Sequence, residues 1–541
     1  MPTDYETSES KTPASSVSDA ARAIARLCAF HRKRGGDARQ VTLDLVEGRE
    51  PEESLRILST LPPEWADHAI SCVHAVLMPD GHRKHLGAFF TPPHLAEHLV
   101  RRLQQLDVDP LSAKFRDPAS GGAAFLVPLA RMMVRGWMDA GMSHETVARN
   151  MRERLQGSEL DPGLADLSYR LIVRMLRHEM GFPAQLARQA ASIVACRDGL
   201  LPPLRPFDHE VGNPPYRRLS AAEHAQAAAA FPDITSGRLN QYALFVRRAL
   251  DHVPNGGMIA HVVPASLIGG SEFRQFRLRI SQLARVEVLD MVQKRSGIFL
   301  DATQDACCLV LRRRESPLDA PPPHNTLAGT LHDDGTLSEQ GRTMLPSDGS
   351  PWALPRPGGA DVPTTSLLAL GWRPRVGYLV PNRQGDILHQ RRARGRMPLI
   401  WAASITAEGG FDFERGRLSR QARGRAWVDA PGGATWVMRG PCVALQRVSS
   451  SSQSRRLTAA VIPQSFVSQH GGVVGENHVL LLTPEREDAV APKVIAAILN
   501  SPEANAAYAR VGGTATISAK LLATLPIPSL CASRFGLVLI R

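Results

Sequence analysis

The chain has 541 residues, 43% of them hydrophobic and 21% charged, a globular composition that excludes a mainly disordered, collagenous or disulfide-scaffold protein. Its formal charge is +12, from 64 basic and 52 acidic side chains. No apolar run reaches the roughly 18 residues of a membrane span, and seven cysteines without a CxxC pair fit a reducing cytoplasm and argue against structural zinc.

A chain of this length is expected to hold more than one domain. Residues 1–18 are Ser/Thr-rich and acidic, without the basic flank or apolar stretch of a signal peptide, and read as a disordered tail. Residues 19–85 follow a helical period, with Ile24, Leu27 and Phe30 and later Leu55, Leu58, Ile70, Val73 and Leu77 on apolar positions. Across 86–314 short apolar runs alternate with helical segments. Strands are expected at 192–196, 258–263, 286–291 and 306–311, and helices at 93–106, 124–138, 164–177, 241–252 and 271–282. Such alternation predicts an α/β domain with a mostly parallel sheet covered on both faces. Residues 315–366 have the Pro/Gly-rich composition of a linker. Residues 367–541 read as a second globular region of short strands with two late helices, at 491–499 and 502–509.

Charge is concentrated in that second half. Between residues 340 and 460 there are 18 arginines, no lysine and seven acids, a net +11 of the total +12. A local basic concentration is what a phosphate backbone attracts, although in an Arg-rich chain a solvated surface gives the same count.

Three groups of residues carry chemistry. In Asn213-Pro214-Pro215-Tyr216 a strand ends at Gly212, and two prolines fix an extended backbone without N–H donors. The Asn213 amide oxygen and the Pro214 carbonyl become adjacent acceptors, suited to an amino group with two hydrogens, while Tyr216 offers a flat face for stacking. The plain alternative is a diproline turn. Upstream, Asp117-Pro118-Ala119-Ser120-Gly121-Gly122-Ala123-Ala124-Phe125 is a Gly-rich strand-to-helix turn that lets a nucleotide-like ligand approach the backbone. Glu159, in Gly157-Ser158-Glu159-Leu160-Asp161-Pro162, can bind two ribose hydroxyls or cap a helix, and Asp198 repeats the pattern after a third strand.

Together with Leu86-Gly87-Ala88-Phe89-Phe90-Thr91-Pro92, these segments resemble, in order and spacing, the N6-adenine DNA methyltransferases of the gamma arrangement, notably the modification methylases of type II restriction systems. The resemblance covers about residues 86–314 and continues more weakly through 375–383 and 514–528. It implies a Rossmann-like S-adenosylmethionine-dependent methyltransferase domain at 86–314, between a helical N-terminal region and a mixed α/β target-recognition domain at 367–541. It places Phe90, Thr91, Pro92, Asp117, Ala119, Gly121, Glu159, Asp161, Asp198 and Asn213 around S-adenosylmethionine. Asn213, Pro214, Pro215 and Tyr216 would hold the target base, with Phe299 as a second stacking ring. Arg391, Arg392, Arg394, Arg396, Arg415, Arg417, Arg420, Arg423 and Arg425 are the candidates for DNA contact.

The implied reaction is methyl transfer to the exocyclic nitrogen of a flipped adenine in double-stranded DNA, mostly by positioning and without a metal. The implied setting is the bacterial cytoplasm, with a cognate restriction endonuclease as a further partner and a monomer as the simplest state. The alternatives are a methyltransferase acting on RNA or protein glutamine, and a DNA-binding relative with impaired catalysis. Two departures from the family pattern bear on this. Ala123 stands where the family usually has a glycine, so a left-handed backbone there would be strained. His209 and Glu210 stand in a strand where an apolar run is usual, and a buried Glu210 would need a partner. His94-Leu95-Ala96-Glu97-His98 matches an inverted zinc-protease motif but lies on the helix right after Phe90-Thr91-Pro92. Pro441-Cys442 follows the Asn213 segment and reads as a structural thiol.

Overall fold

In the computed structural model of the chain, the described residues are 14–79, 81, 91–235, 239–292, 305–332, 334–355, 364–448, 455–511 and 516–528. Helix α1 (Ala14–Arg34) starts inside the segment expected to be a tail, because Val17 and Ala20 continue the apolar stripe of Ile24 and Leu27 and are buried with it. Its last turn carries Arg32, Lys33 and Arg34, cations favourable at a helix C-terminus, and Gly35 follows at φ 73°. Next come α2 (Ala38–Val46), capped by Asp37, α3 (Glu52–Ser59) and α4 (Pro63–Leu77). α4 is buried on almost every side from Trp65 to Ala75, as expected of a central helix, and packs against α1 and α2. Its Asp67 is buried in ion pairs with Arg131 and Arg174. The N-terminal helices therefore share one hydrophobic core with the sheet that follows.

Among the described residues that sheet has nine strands, in the order β3-β2-β1-β4-β5-β7-β6-β8-β9. They are β1 (Phe115–Asp117), β2 (Leu155–Glu159), β3 (Val194–Cys196), β4 (His209–Gly212), β5 (Met258–Pro264), β6 (Ala284–Val292), β7 (Ala306–Arg313), β8 (His324–Leu331) and β9 (Leu337–Leu345). β3, β2, β1, β4 and β5 run parallel, while β7 is antiparallel to both of its neighbours. The interleaved helices are α5 (Pro93–Gln105), α6 (Leu126–Asp139), α7 (His144–Arg154), α8 (Pro162–Arg174), α9 (Ala184–Ala190), α10 (Ala221–Ala230), α11 (Gln241–His252) and α12 (Arg274–Leu283). β5 is buried at every position, which is why its sequence, Met258-Ile259-Ala260-His261-Val262-Val263-Pro264, is nearly unbroken in apolar character.

Part of the expected linker is sheet. β8 pairs in parallel with β6, and β9 returns antiparallel to β8 through a tight turn with Gly335 at φ 80°. Prolines 321–323 and the Asp334-Gly335 turn gave the segment its linker composition, but Thr326, Ala328 and Leu331 between them are fully buried. The hairpin is anchored from beneath. Arg102 on α5 grips Asp290 of β6 through Nε and Nη2 (2.7 and 2.9 Å) and Glu339 of β9 through Nη1 (2.7 Å). Gly329 makes room for this cluster, since a Cβ there would lie 2.9 Å from Asp290 Oδ1.

The chain divides into two compact units, the second made of residues from Pro351 onward together with Ile268–Ser271. Among the described residues it contains two four-stranded sheets. One is β10 (Trp372–Val376), β17 (Val479–Pro484), β14 (Cys442–Gln446) and β15 (Ala459–Ile462), all antiparallel. The other is β11 (Leu388–His389), β13 (Trp427–Asp429), β12 (Arg396–Ile400) and β16 (Val474–Gly475). Helices Pro492–Asn500 and Pro502–Ala509 bury Ile495, Ile498, Leu499 and Tyr508 against the first of these sheets. Among the described residues no helix is long and apolar enough to cross a membrane.

Candidate active site

The strand order reverses between β1 and β4: β2 and β3 continue to one side and β5 to the other. Ligands of open α/β sheets bind at the carboxyl ends of the strands beside such a point. Four expected residues stand at these ends. Asp117 closes β1, Glu159 closes β2, Asp198 lies two residues beyond β3, and Asn213 follows β4.

Each is held by local backbone. Asp117 Oδ1 accepts the Ala119 N–H (3.0 Å), while the buried Oδ2 has no hydrogen-bond partner among the described residues. Burial pushes this carboxyl up to about 8; the Ala119 N–H opposes the shift, and the Glu210 and Glu159 carboxylates add to it. Glu159 accepts from Gly121 N (2.8 Å) and Asp161 N (2.9 Å), and so fastens the Gly-rich turn to the end of β2. Burial raises its pKa and those donors work against the rise. Asp161 caps α8 through Leu164 N (2.9 Å), and Asp198 accepts from Leu200 N (2.9 Å). Asn213 Nδ2 donates to Thr91 Oγ1 (2.9 Å), which ties the Asn213 segment to the one holding Thr91 and Pro92, the latter at the N-cap of α5. Tyr216 is only 6% exposed, and its hydroxyl donates to the Val262 carbonyl of β5 (3.3 Å). Phe90 and Phe299 lie outside the described residues.

Two glycines allow the close packing. A Cβ on Gly199 would sit 1.7 Å from the Pro118 carbonyl oxygen, so the loop after Asp198 can lie against the β1 end only because it has none. A Cβ on Gly212 would reach within 3.0 Å of Asp117 Oδ1. Ala123 occupies the left-handed region at φ 58° with its methyl group fully buried. The strain expected of that residue type at that position is therefore present.

The buried Glu210 has its partner one strand away. Arg116 of β1 is directly in register with Glu210 of β4, and Nη1 donates to Oε2 at 3.0 Å. His261 Nε2 lies 3.3 Å from the other carboxylate oxygen. Arg116 Nη2 also donates to the Gly199 carbonyl (2.6 Å), so one buried guanidinium joins β1, β4 and the loop after Asp198. His209 Nδ1 accepts the Met258 N–H (3.0 Å). A cavity beside the Gly-rich turn is lined by Thr91, Gly122 and Ala123 and, from α4, by Glu64, His68 and Ser71. Sequence reasoning gave the N-terminal helices no place here, and periodicity alone holds no sign of it. The histidines of the inverted zinc-protease motif are engaged: His98 bonds Asp290 (2.8 Å) and His94 stacks against Trp65. Burial pushes the Cys442 thiol up to about 12.

In the second unit the nine arginines separate by their partners. Arg396 pairs with Asp429 (3.0 Å), Arg417 pairs with Glu414 (2.6 Å), and Arg392 lies over the Trp427 ring. Arg391, Arg394, Arg415, Arg420 and Arg423 are exposed and Arg425 half-buried, all six without an ion pair among the described residues. Arg392, Arg394, Arg396 and His470 line a common cleft.

Residues 205–299 match the Eco57I restriction-modification methylase family. The chain is 27% identical over 186 residues to the type II methyltransferase M.PaeR7I of Pseudomonas aeruginosa, covering 32% of this chain and 31% of that one. It is 21% identical over 351 residues to the type II methyltransferase M.BsuBI of Bacillus subtilis, covering 60% of this chain and 65% of that one. It thus spans less than two thirds of the length of either relative. Among solved structures, the type IIL restriction-modification enzyme MmeI in complex with DNA superposes with a TM-score of 0.52 at 12% identity, over 87% of this chain and 72% of that one, a likeness of fold. The chain thus shares its fold with a restriction-modification enzyme, matches the restriction-modification methylase family over residues 205–299, and is similar to the type II methyltransferases.

Proposed function

We propose that the protein methylates the exocyclic N6 of adenine in double-stranded DNA, using S-adenosylmethionine, as the modification activity of a restriction system. The observation that carries this reading is the meeting of Asp117 and Asn213-Pro214-Pro215-Tyr216 at the ends of β1 and β4, where the strand order reverses. Asp117 Oδ2, without a hydrogen-bond partner among the described residues, the close approach allowed by Gly212 and the left-handed turn at Gly121 and Ala123 fit a ligand with hydroxyl and cationic groups. Asp117, Glu159 and Asp198 would hold the cofactor, with Thr91, Pro92, Ala119, Gly121 and Asp161 shaping its cleft. When bound, S-adenosylmethionine supplies an electrophilic methyl group.

Asn213 and the Pro214 carbonyl then accept the two hydrogens of the amino group, which turns the nitrogen lone pair out of the ring plane. Tyr216 and Pro215 flank the base, compensating for lost stacking by roughly 1–3 kcal/mol per aromatic. Catalysis by these residues is positioning without a covalent intermediate. The unpaired arginines of the second unit would hold the phosphate backbone and read bases. A cognate endonuclease would cut DNA left unmodified.

The test is methyl transfer to unmodified genomic DNA, followed by nucleoside analysis. N6-methyldeoxyadenosine is expected from the wild type, and Asn213→Ala should lower its rate by about 10²–10³ with a much smaller loss of cofactor affinity. Methylated cytosine, transfer to RNA or protein alone, or near-wild-type turnover by Asn213→Ala would overturn the reading.

A further inference from the structure

In the second unit an aromatic pair stands at the surface on a rigid frame. Tyr378 and Trp436 stack with ring centroids 4.7 Å apart and planes 7° from parallel. Trp436 packs on the core formed by Leu379, Leu399, Val437 and Val474, so one end of the stack is closed. Tyr378 is 48% exposed, so the other end is open to solvent.

The backbone gives this pair little freedom. Gly377 N donates to Val479 O (2.8 Å), Leu379 N to Gly475 O (3.2 Å) and Asn477 N to Leu379 O (2.7 Å), so Tyr378 sits between two pinned neighbours. A Cβ on Gly377 would lie 2.0 Å from the Glu476 carbonyl oxygen, which makes that glycine a condition of the crossing. The Trp436 strap is closed by a double hydrogen bond between Met438 and Val473 (2.8 and 2.9 Å). Arg439 folds back onto the strap through the Ala434 carbonyl (3.2 Å). Arg375, Arg383 and Arg439, on the segments that carry the two rings, are exposed and form no ion pair among the described residues.

We propose that the outer face of Tyr378 is a stacking site for a nucleobase displaced from its neighbours in bound DNA, with Trp436 as its backing. A flat ring held at fixed height extends a base stack without ordering cost, and arginines on the same segments suit the phosphates on either side of an unstacked base. The site belongs to the second unit and uses no residue of the Asn213 segment. It rests on the reading of the protein as a DNA methyltransferase.

The experiment uses the full chain, unmodified genomic duplex fragments and a mixed-sequence single strand. Tyr378→Ala should weaken binding to both by about tenfold, while Tyr378→Phe should stay within about twofold of wild type because stacking does not need the hydroxyl. Cofactor affinity and melting temperature should be unchanged in both variants. A duplex with 5-iodouracil at successive positions should photocrosslink to Tyr378 in the wild type. DNA binding by the wild type without a crosslink at Tyr378, or with binding undiminished in Tyr378→Ala, overturns the stacking site alone, as does equal loss in the Phe variant. A wild type that binds neither nucleic acid overturns the methyltransferase reading and the stacking site together.

Discussion

Along β1 and β4 of the first unit the charged side chains are enclosed. Asp117 and Glu210 are 1% exposed and Arg116 2%, and the guanidinium is bonded to a carboxylate and a carbonyl. In the second unit Arg391, Arg394, Arg415, Arg420 and Arg423 stand in solvent on turns and short elements, without ion pairs among the described residues. The first arrangement makes charge a matter of folding, since a buried ion must keep its partner. The second leaves charge outside the folding balance and available to a polyanion. The same residue type, arginine, is a structural joint in one unit and a candidate contact in the other.

The largest effect should come from breaking the enclosed side. Arg116→Ala leaves Glu210 buried and uncompensated and is expected to cost about 3–5 kcal/mol in denaturant unfolding. The paired replacement Arg116→Met with Glu210→Met should recover most of that loss, and failure to do so would mean that the contacts to the Gly199 loop dominate.

Asp117 sharpens the same side through pH. Its carboxyl is held near 8 in the folded protein, against an ordinary value of about 3.9 in the unfolded chain. The folded state therefore keeps a proton that the unfolded state releases, and stability present below pH ~4 is lost as pH rises through ~8. Asp117→Asn keeps the oxygen that accepts from Ala119 and cannot ionise. It should melt like the wild type near pH 4 and higher by about 5 °C near pH 8, with cofactor binding weakened. Parallel melting curves across that range would show that Asp117 titrates normally.

A smaller change is expected at Ala123. Relief of the left-handed strain, about 1–2 kcal/mol, exceeds the roughly 0.8 kcal/mol of a buried methyl group, so Ala123→Gly should stabilise by about 0.5 kcal/mol. Destabilisation would mean that the methyl group fills space the turn cannot close.

On the exposed side, Arg391→Ala or Arg394→Ala should move unfolding by no more than about 0.5 kcal/mol. Each should lower the salt slope of DNA binding by about 0.9 if it meets a phosphate. Arg396→Ala, whose side chain is already paired with Asp429, should change the slope less.

The strand-end residues were legible because each motif sits at a change of period, from an apolar run to Gly, Pro or an acid, which is where strands of such sheets end. Helix 241–252 and the late helix 502–509 coincide with Gln241–His252 and Pro502–Ala509, since Asn240 and Ser501 mark the starts and Val253 and Arg510 the ends of their apolar stripes. The β8–β9 hairpin was missed because local composition at its flanks and turn outweighed a weak alternation between them. The Arg116–Glu210 pair was invisible for a different reason: the two residues are 94 apart in sequence and meet only once the register of β1 against β4 is known. The stack of Tyr378 on Trp436 likewise depends on crossings that no local pattern encodes.

The hairpin that escaped the sequence pattern also closes one side of the nine-stranded sheet, and β9 is its last strand. An outermost strand offers a row of unpaired N–H and C=O groups to any extended chain. Here the ladder slips out of register between Ala328 and Gly329, Gly341 takes φ 93°, and Glu339 and Arg342 place opposite charges along the strand. An incoming strand would meet a bent, charged margin instead of a flat template. The opposite margin, β3, is only three residues long. A sheet this wide can therefore be made on the ribosome at high local concentration with its apolar strands shielded from sideways growth into neighbouring copies.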